Sequence, residues 1–161
     1  MSARVGIGYD SHRFAEGRPL ILGGVTIPHD LGLAGHSDAD VLTHAVIDAL
    51  LGAAGAGDIG AHYPPTDERW RDADSIELLR GVLDKLPGQA VNVDATVICE
   101  APPIGPHRES IERSLSEAVG APVSVKATTN EGLGAIGRGE GIAVMAVALF
   151  EPATPDEDRD E

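Results

Sequence analysis

Residues 142–150, IAVMAVALF, are apolar at every position. Successive side chains on a strand point to opposite faces, so such a run is apolar on both. A chain that contains it has to cover both faces of a sheet. The 161 residues suit one domain with a proper core. The rest of the sequence supplies too few helices for two faces. The sheet is therefore either enclosed within one subunit or packed by its second face against other copies, and we expect the latter.

The remaining elements follow from pattern. Residues 4–10 read as a strand, and LILGGVTIP, 20–28, as a hairpin turning at Gly23-Gly24. SDADVLTHAVIDALLGAAG is helical, with Ser37 placed to cap it and Asp40 three residues on. Leu42, Ala45, Val46, Ala49, Leu50 and Ala53 form its apolar stripe. Residues 58–73 read as an irregular loop around Pro64-Pro65. Asp74 or Ser75 caps a second helix that runs to about Leu86, where Pro87-Gly88 stops it. Strand 90–100, helix 106–120, strand 123–129, a glycine-rich loop and strand 142–151 complete the chain. The order β, ββ, α, α, β, α, β, β predicts an α+β fold, a mixed sheet with helices on one face. The domain is expected over 1–150. The segment 151–161, EPATPDEDRDE, reads as an acidic, disordered tail.

Composition excludes some functions. Twelve Lys+Arg against 26 Asp+Glu give a net charge of −14, which argues against a nucleic-acid partner. An anionic substrate would need local neutralisation by a metal, a few cations or backbone N–H groups. Only 3% of residues are aromatic, so the core must be aliphatic. A single cysteine, Cys99, allows no internal disulfide and fits a reducing, cytoplasmic location. No apolar run of about 20 residues is present for a membrane span, and no secretory signal is expected.

Asp10 and His12 alternate on one strand and so aim at one spot. This suits two metal ligands or an ordinary ion pair. Asp40, His44 and Asp48 lie at i, i+4 and i+8 on the first helix, with His36 just before it. His44 with Asp10 and His12 would make a His₂Asp set that leaves a coordination position open, the catalytic pattern for zinc. Asp40 or Asp48 would then orient His44. Asp58, between glycines, is either a turn former or a carboxylate fit for polyol hydroxyls. The loop NEGLGAIGRGEG offers Glu131 for a hard divalent cation and Arg138 for a phosphate, or is simply a loop. CEAPPIGPH has three prolines within five residues and exposes backbone edges to a flat ligand.

Taken together, GYDSHRF, the long HSDADVLTHAVIDALLGAA…GDIG, VNVDATVICEAPPIGPH and VKATTNEGLGAIGRGEGIAVMAV closely resemble the 2-C-methyl-D-erythritol 2,4-cyclodiphosphate synthase family, from about Arg4 to Leu149. The resemblance implies a ferredoxin-like subunit in a homotrimer, its sheets facing the three-fold axis and its active sites between subunits. It implies a phosphorus–oxygen lyase of the non-mevalonate isoprenoid pathway. That enzyme converts a nucleotide-diphosphate substrate, 4-diphosphocytidyl-2-C-methyl-D-erythritol 2-phosphate, to the cyclic diphosphate and CMP. By matching motif, Asp10, His12 and His44 would hold zinc, and Glu131 magnesium or manganese between the substrate phosphates. His36 and Thr129 would stabilise the transition state. Ser37, Asp58, Ile59 and Gly60 would contact the methylerythritol phosphate. Cys99, Glu100, Ala101, Pro102, Pro103, Ile104 and Gly105, with Thr128 and Thr129, would surround the cytidine diphosphate, and Arg138 would bind phosphate. Three positions depart from the family's usual residues: Pro103 for a Lys, Pro65 for an Asp and Ala135 for a Phe. The residues alone also leave open a zinc phosphohydrolase and a non-catalytic metal trimer.

Overall fold

A computed structural model describes residues 2–154. The long strands are β1 (Arg4–Ala15), β5 (Gly88–Ile98), β6 (Val123–Thr128) and β7 (Gly141–Pro152). The short ones are β2 (Leu20–Leu22), β3 (Val25–Ile27) and β4 (Gly32–Leu33). The helices are α1 (Val41–Ala54), α2 (Ile59–His62), α3 (Ser75–Leu83), α4 (Arg108–Val119) and α5 (Gly134–Gly137). The main sheet has the order β4-β1-β7-β5-β6, and β2-β3 form the separate hairpin. The all-apolar segment becomes β7, hydrogen-bonded between β1 and β5 and antiparallel to both.

The α+β expectation is met, while the connectivity departs from the ferredoxin-like order. A ferredoxin-like chain runs β-α-β-β-α-β. Here β5 and β6 are parallel neighbours, and α4 lies between them in sequence. Parallel neighbours need a crossover rather than a hairpin, and α4 supplies it by burying Ile111, Leu115, Ala118 and Val119. The last strand then returns between β1 and β5.

Element ends differ where capping chemistry decides them. Asp40, not Ser37, caps α1, accepting from Thr43 N. Asp74 caps α3, which ends at Leu83, short of Leu86. The loop 58–73 carries α2 and a 3-10 turn at Glu68–Trp70, capped by Asp58 and Asp67 respectively. Strand β7 reaches Pro152, into the segment expected as tail, and 155–161 of that segment lie outside the described residues.

The sheet's two faces differ sharply. On one, Val93, Ala95, Val97, Val144, Ala146 and Ala148 are buried. On the other, Val5, Ile7, Tyr9, Met145 and Val147 are exposed. The alternation therefore covers one face with helices and leaves an apolar second face bare.

On the covered face, α1 lies almost directly on β1. A Cβ built on Gly6 would stand 2.0 Å from Ala49 O, and one on Gly8 1.9 Å from Ala45 O. Only glycine permits that approach. A Cβ at Gly52, on α1 itself, meets nothing nearer than 3.7 Å. Gly8→Ala should thus lower unfolding free energy by about 1–3 kcal/mol or more through overpacking. Gly52→Ala should raise it by up to about 1 kcal/mol through helix propensity. Urea unfolding of both variants checks the contrast.

Candidate metal centre and adjoining clefts

The close seat of α1 on β1 sets the site. Gly6, Gly8, Asp10 and His12 alternate along one face of β1, so the acid and imidazole continue the line that the two glycines open. His44 belongs to the turn of α1 beside Ala45, and this brings it to Asp10. Asp10 Oδ2 lies 2.9 Å from His12 Nε2 and 3.2 Å from His44 Nδ1. One ligand atom from each of the three residues falls within 4.8 Å of the others.

The remaining ring nitrogens are held, which presets both tautomers. His12 Nδ1 donates to Ala34 O at 2.6 Å, leaving Nε2 to face inward. His44 Nε2 meets Ser75 Oγ at 2.8 Å and Ser37 Oγ at 3.2 Å. Ser75 Oγ donates its single proton to Asp38, so it accepts the Nε2–H of His44. His44 Nδ1 is then free to coordinate. Such outer contacts orient metal-ligating histidines. Two neutral imidazoles and one carboxylate, oriented beforehand, fit a divalent transition metal with an open position.

Neither Asp40 nor Asp48 supports His44, contrary to the helix-spacing argument. Asp40 is fully buried and accepts from Gly23 N, Gly24 N, Thr43 N and Thr43 Oγ1. It ties the β2-β3 turn to the start of α1. Burial and the nearby Asp38 charge outweigh these bonds, and its pKa lies above the ordinary carboxylate value. Asp48 accepts from Ile59 N at 2.8 Å and so anchors α2. The support for His44 comes from α3, through Ser75 and Asp38, residues 31 and 6 positions away. A hydroxyl serving an imidazole leaves no mark in sequence spacing.

The triad opens into a cavity of about 230 Å³ that His36, Ser37, Ile59 and Gly60 also line, together with Tyr63, Pro65, Trp70 and Leu78. Asp58 is absent from this lining, because its carboxylate caps α2 by accepting from Ala61 N at 2.9 Å. Arg18, which pattern did not single out, grips the loop carrying His36. Its guanidinium donates to Gly35 O and Ser37 O, each at 2.6 Å.

A second cavity, about 250 Å³, is lined by Cys99, Glu100, Pro102, Pro103, Ile104, Ala127, Thr128 and Thr129. Ala101 and Gly105 of the expected set lie outside that lining. Glu100 accepts from Asn130 N at 2.8 Å, joining the proline-rich loop to the glycine-rich one. Burial, with the adjacent Glu100 charge, pushes the Cys99 thiol up to about 11, so no thiolate nucleophile forms. Glu131 is exposed, and its N–H donates to Thr129 Oγ1 at 3.3 Å. Arg138 is exposed and pairs with Glu140 at 2.7 Å.

The two cavities share no lining residue. Register puts them at one level of the sheet, since Asp10 opposes Val144, and Ala143 opposes Ile98, which opposes Thr128. The first sits on β1 and the second at the ends of β5 and β6, two to three strand spacings away, or ~10–14 Å. Thr129 lines the second cavity and not that of the triad, Glu131 and Arg138 line neither, and Gly139–Gly141 of the glycine-rich loop share a further cavity with His12.

Electrostatics of the triad gives a pH signature. Burial works to raise the Asp10 pKa, but its contacts with the His12 and His44 rings outweigh it and hold the carboxyl at about 2. Burial favours neutral His12, yet the Asp10 hydrogen bond and charge carry its pKa above 6.5. In metal-free protein, the His12 contribution to stability is present in full below pH 6.5 and is lost as pH rises through the raised value. The Asp10 contribution is present above 3.8 and is lost as pH falls through about 2. Metal has to displace the His12 proton, so uptake should strengthen as pH rises through that same raised value. Competition with a chromophoric chelator across pH 5.5–8 checks the direction. Ser75→Ala keeps the backbone N–H to Asp38 but removes the nearer acceptor for His44, and should weaken metal affinity about tenfold in the same assay.

The chain as a whole has counterparts among known proteins. The YgbB family model matches residues 3–151. A 2-C-methyl-D-erythritol 2,4-cyclodiphosphate synthase of Salinibacter ruber is 57% identical over 156 residues, covering 93% of this chain and 99% of its own. The synthase of Rubrobacter xylanophilus is 60% identical over 158 residues, covering 93% and 96%. A solved 2C-methyl-D-erythritol-2,4-cyclodiphosphate synthase in a CDP-bound form superposes with a TM-score of 0.82 at 38% identity, covering 92% of this chain and 100% of that one. With the family model matching nearly the whole chain and relatives at 57–60% identity over 93% of it, the chain belongs to the YgbB family of 2-C-methyl-D-erythritol 2,4-cyclodiphosphate synthases.

Proposed function

We propose that the chain cyclises 4-diphosphocytidyl-2-C-methyl-D-erythritol 2-phosphate to 2-C-methyl-D-erythritol 2,4-cyclodiphosphate with release of CMP, as a phosphorus–oxygen lyase of the non-mevalonate isoprenoid pathway. The observation that carries this reading is the convergence of Asp10, His12 and His44 within 4.8 Å, in a chain closely related to synthases of that name.

The reaction needs no protein nucleophile. An oxygen of the 2-phosphate attacks the β-phosphorus, a new P–O bond forms, and the bond to the bridging oxygen of the α-phosphate breaks. CMP leaves with that electron pair. The protein's task is orientation, which in favourable systems contributes up to about 7–11 kcal/mol. Zinc at Asp10, His12 and His44, with magnesium or manganese at Glu131, would polarise phosphate oxygens and offset their charge. His36 and Thr129 would donate to oxygens on which charge develops. Ser37, Ile59 and Gly60 would hold the methylerythritol phosphate, with Asp58 shaping that wall through its cap on α2. Backbone groups of 99–105, with Thr128, would hold the cytidine diphosphate, and Arg138 would exchange Glu140 for a phosphate.

We further infer a homotrimer in which one copy's metal cavity meets a neighbour's nucleotide cavity. Support comes from the bare apolar face of β1 and β7 and from the ~10–14 Å between the two cavities of one chain. Ile7 is 63% exposed on that face. Ile7→Glu should give a smaller particle by sedimentation and lose CMP release. A monomeric wild-type protein with full activity would contradict the inference.

The central experiment is CMP release from the diphosphocytidyl substrate with and without chelator. Release should stop with chelator, return with zinc and magnesium, and fall at least about a hundredfold in Asp10→Ala. In ¹⁸O water neither product should acquire label. Labelled phosphate product would point to hydrolysis instead.

A further inference from the structure

Among the described residues, two buried side-chain polar atoms lack a hydrogen-bond partner, His36 Nε2 and Trp70 Nε1. Both residues line the cavity of the metal triad. A buried polar atom without a partner costs free energy, and folded proteins carry few of them. Two in one cavity point to a ligand that satisfies both. His36 has an expected role in the reaction, and Trp70 has none.

The indole N–H is a donor only, so its missing partner is an acceptor. The cavity lining includes no Lys or Arg. In a protein of net charge −14, an anionic or hydroxyl oxygen entering there meets no Lys or Arg side chain. A neutral N–H offers direction without requiring a counter-charge. Ile59, Tyr63, Pro65 and Leu78 surround it with mostly apolar surface, where a hydrogen bond is strengthened by low dielectric.

Trp70 is also held in place. Its ring meets Tyr63 edge-on at 4.8 Å between centroids, and the Arg69 guanidinium lies 5.2 Å from its own ring centre. Asp67 caps the turn by accepting from Arg69 N at 3.0 Å. The chain after Trp70 is joined to the His36 segment, Asp72 N donating to His36 O and Asp38 N to Ala73 O. The two unpartnered atoms therefore ride on segments bonded to each other.

We propose that Trp70 Nε1–H donates to an oxygen of the methylerythritol 2-phosphate half of the substrate, so that Trp70 and His36 grip that half from two sides and orient it toward the metal centre. This rests on the cyclase reading above. Trp70 is the chain's single tryptophan, so one indole ¹⁵N–¹H resonance reports on it without mutation.

Titrating 2-C-methyl-D-erythritol 2,4-cyclodiphosphate into the zinc-loaded wild-type protein should shift that resonance, and CMP alone should leave it in place. Trp70→Phe keeps the edge-on ring but removes the N–H. It should raise KM about tenfold, the equivalent of one hydrogen bond to a charged group, with kcat changed less than about threefold and Tm unchanged. An indole resonance that the cyclodiphosphate does not move, in enzyme that releases CMP, overturns the role of Trp70 and leaves the cyclase reading intact. A wild-type KM in Trp70→Phe does the same. Wild-type protein that releases no CMP overturns the cyclase reading itself.

Discussion

The contact between β1 and α1 is the constraint on which the site depends. Gly6 and Gly8 let the backbone of α1 come so near that a single Cβ would collide with a helix carbonyl. Two residues along a strand advance about 6.6 Å, and four along a helix about 6 Å. The Gly6–Gly8 step on β1 therefore keeps pace with Ala53, Ala49 and Ala45 on α1. The next strand position on that face is Asp10, and His44 is ready beside it. An ordinary separation of helix and sheet would hold the two too far apart to share an ion.

Around this contact, buried polar groups are used to join elements. Asp40 satisfies three backbone N–H groups and one hydroxyl, linking the β2-β3 turn to α1. Asp38 accepts from Ser75 N and Ser75 Oγ, linking the loop before α1 to the start of α3. Arg18 bridges the carbonyls on either side of His36. Each is a buried or half-buried polar group with partners in a segment distant in sequence, the arrangement that specifies one geometry rather than many. The loop Asp38–Asp40 thus serves structure, while its neighbours His36 and Ser37 face the cavity.

Much of the fold could be read from pattern. The strands read at 4–10, 123–129 and 142–151, the hairpin at Gly23-Gly24 and three helices appear where alternation, apolar stripes and glycine stops indicate, although β1 runs on to Ala15. The triad was legible too, because D-x-H on a strand aims two side chains at one point. Sequence reasoning misjudged the supports of His44, since i±4 spacing on α1 suggested Asp40 and Asp48. Asp40 instead follows the unpaired N–H groups at the start of its helix, and Asp48 those of α2. Ser75, Arg18 and Trp70 were not legible, because their partners are fixed by how loops pack, at separations with no periodic signature.

By itself, the sequence determined which segments are strands and helices, which strand is apolar on both faces, and which three residues can ligate a metal. These are properties of local alternation, turn residues and donor chemistry, and they are decided within a few positions of chain. Only the tertiary structure decided that α4 turns β5 and β6 into parallel neighbours, that His44 is held by a serine from α3, and that the triad's cavity and the one lined by residues of 99–104 and Ala127–Thr129 lie apart on one sheet. Those outcomes depend on which surfaces meet after collapse, and close packing between distant segments selects one such arrangement.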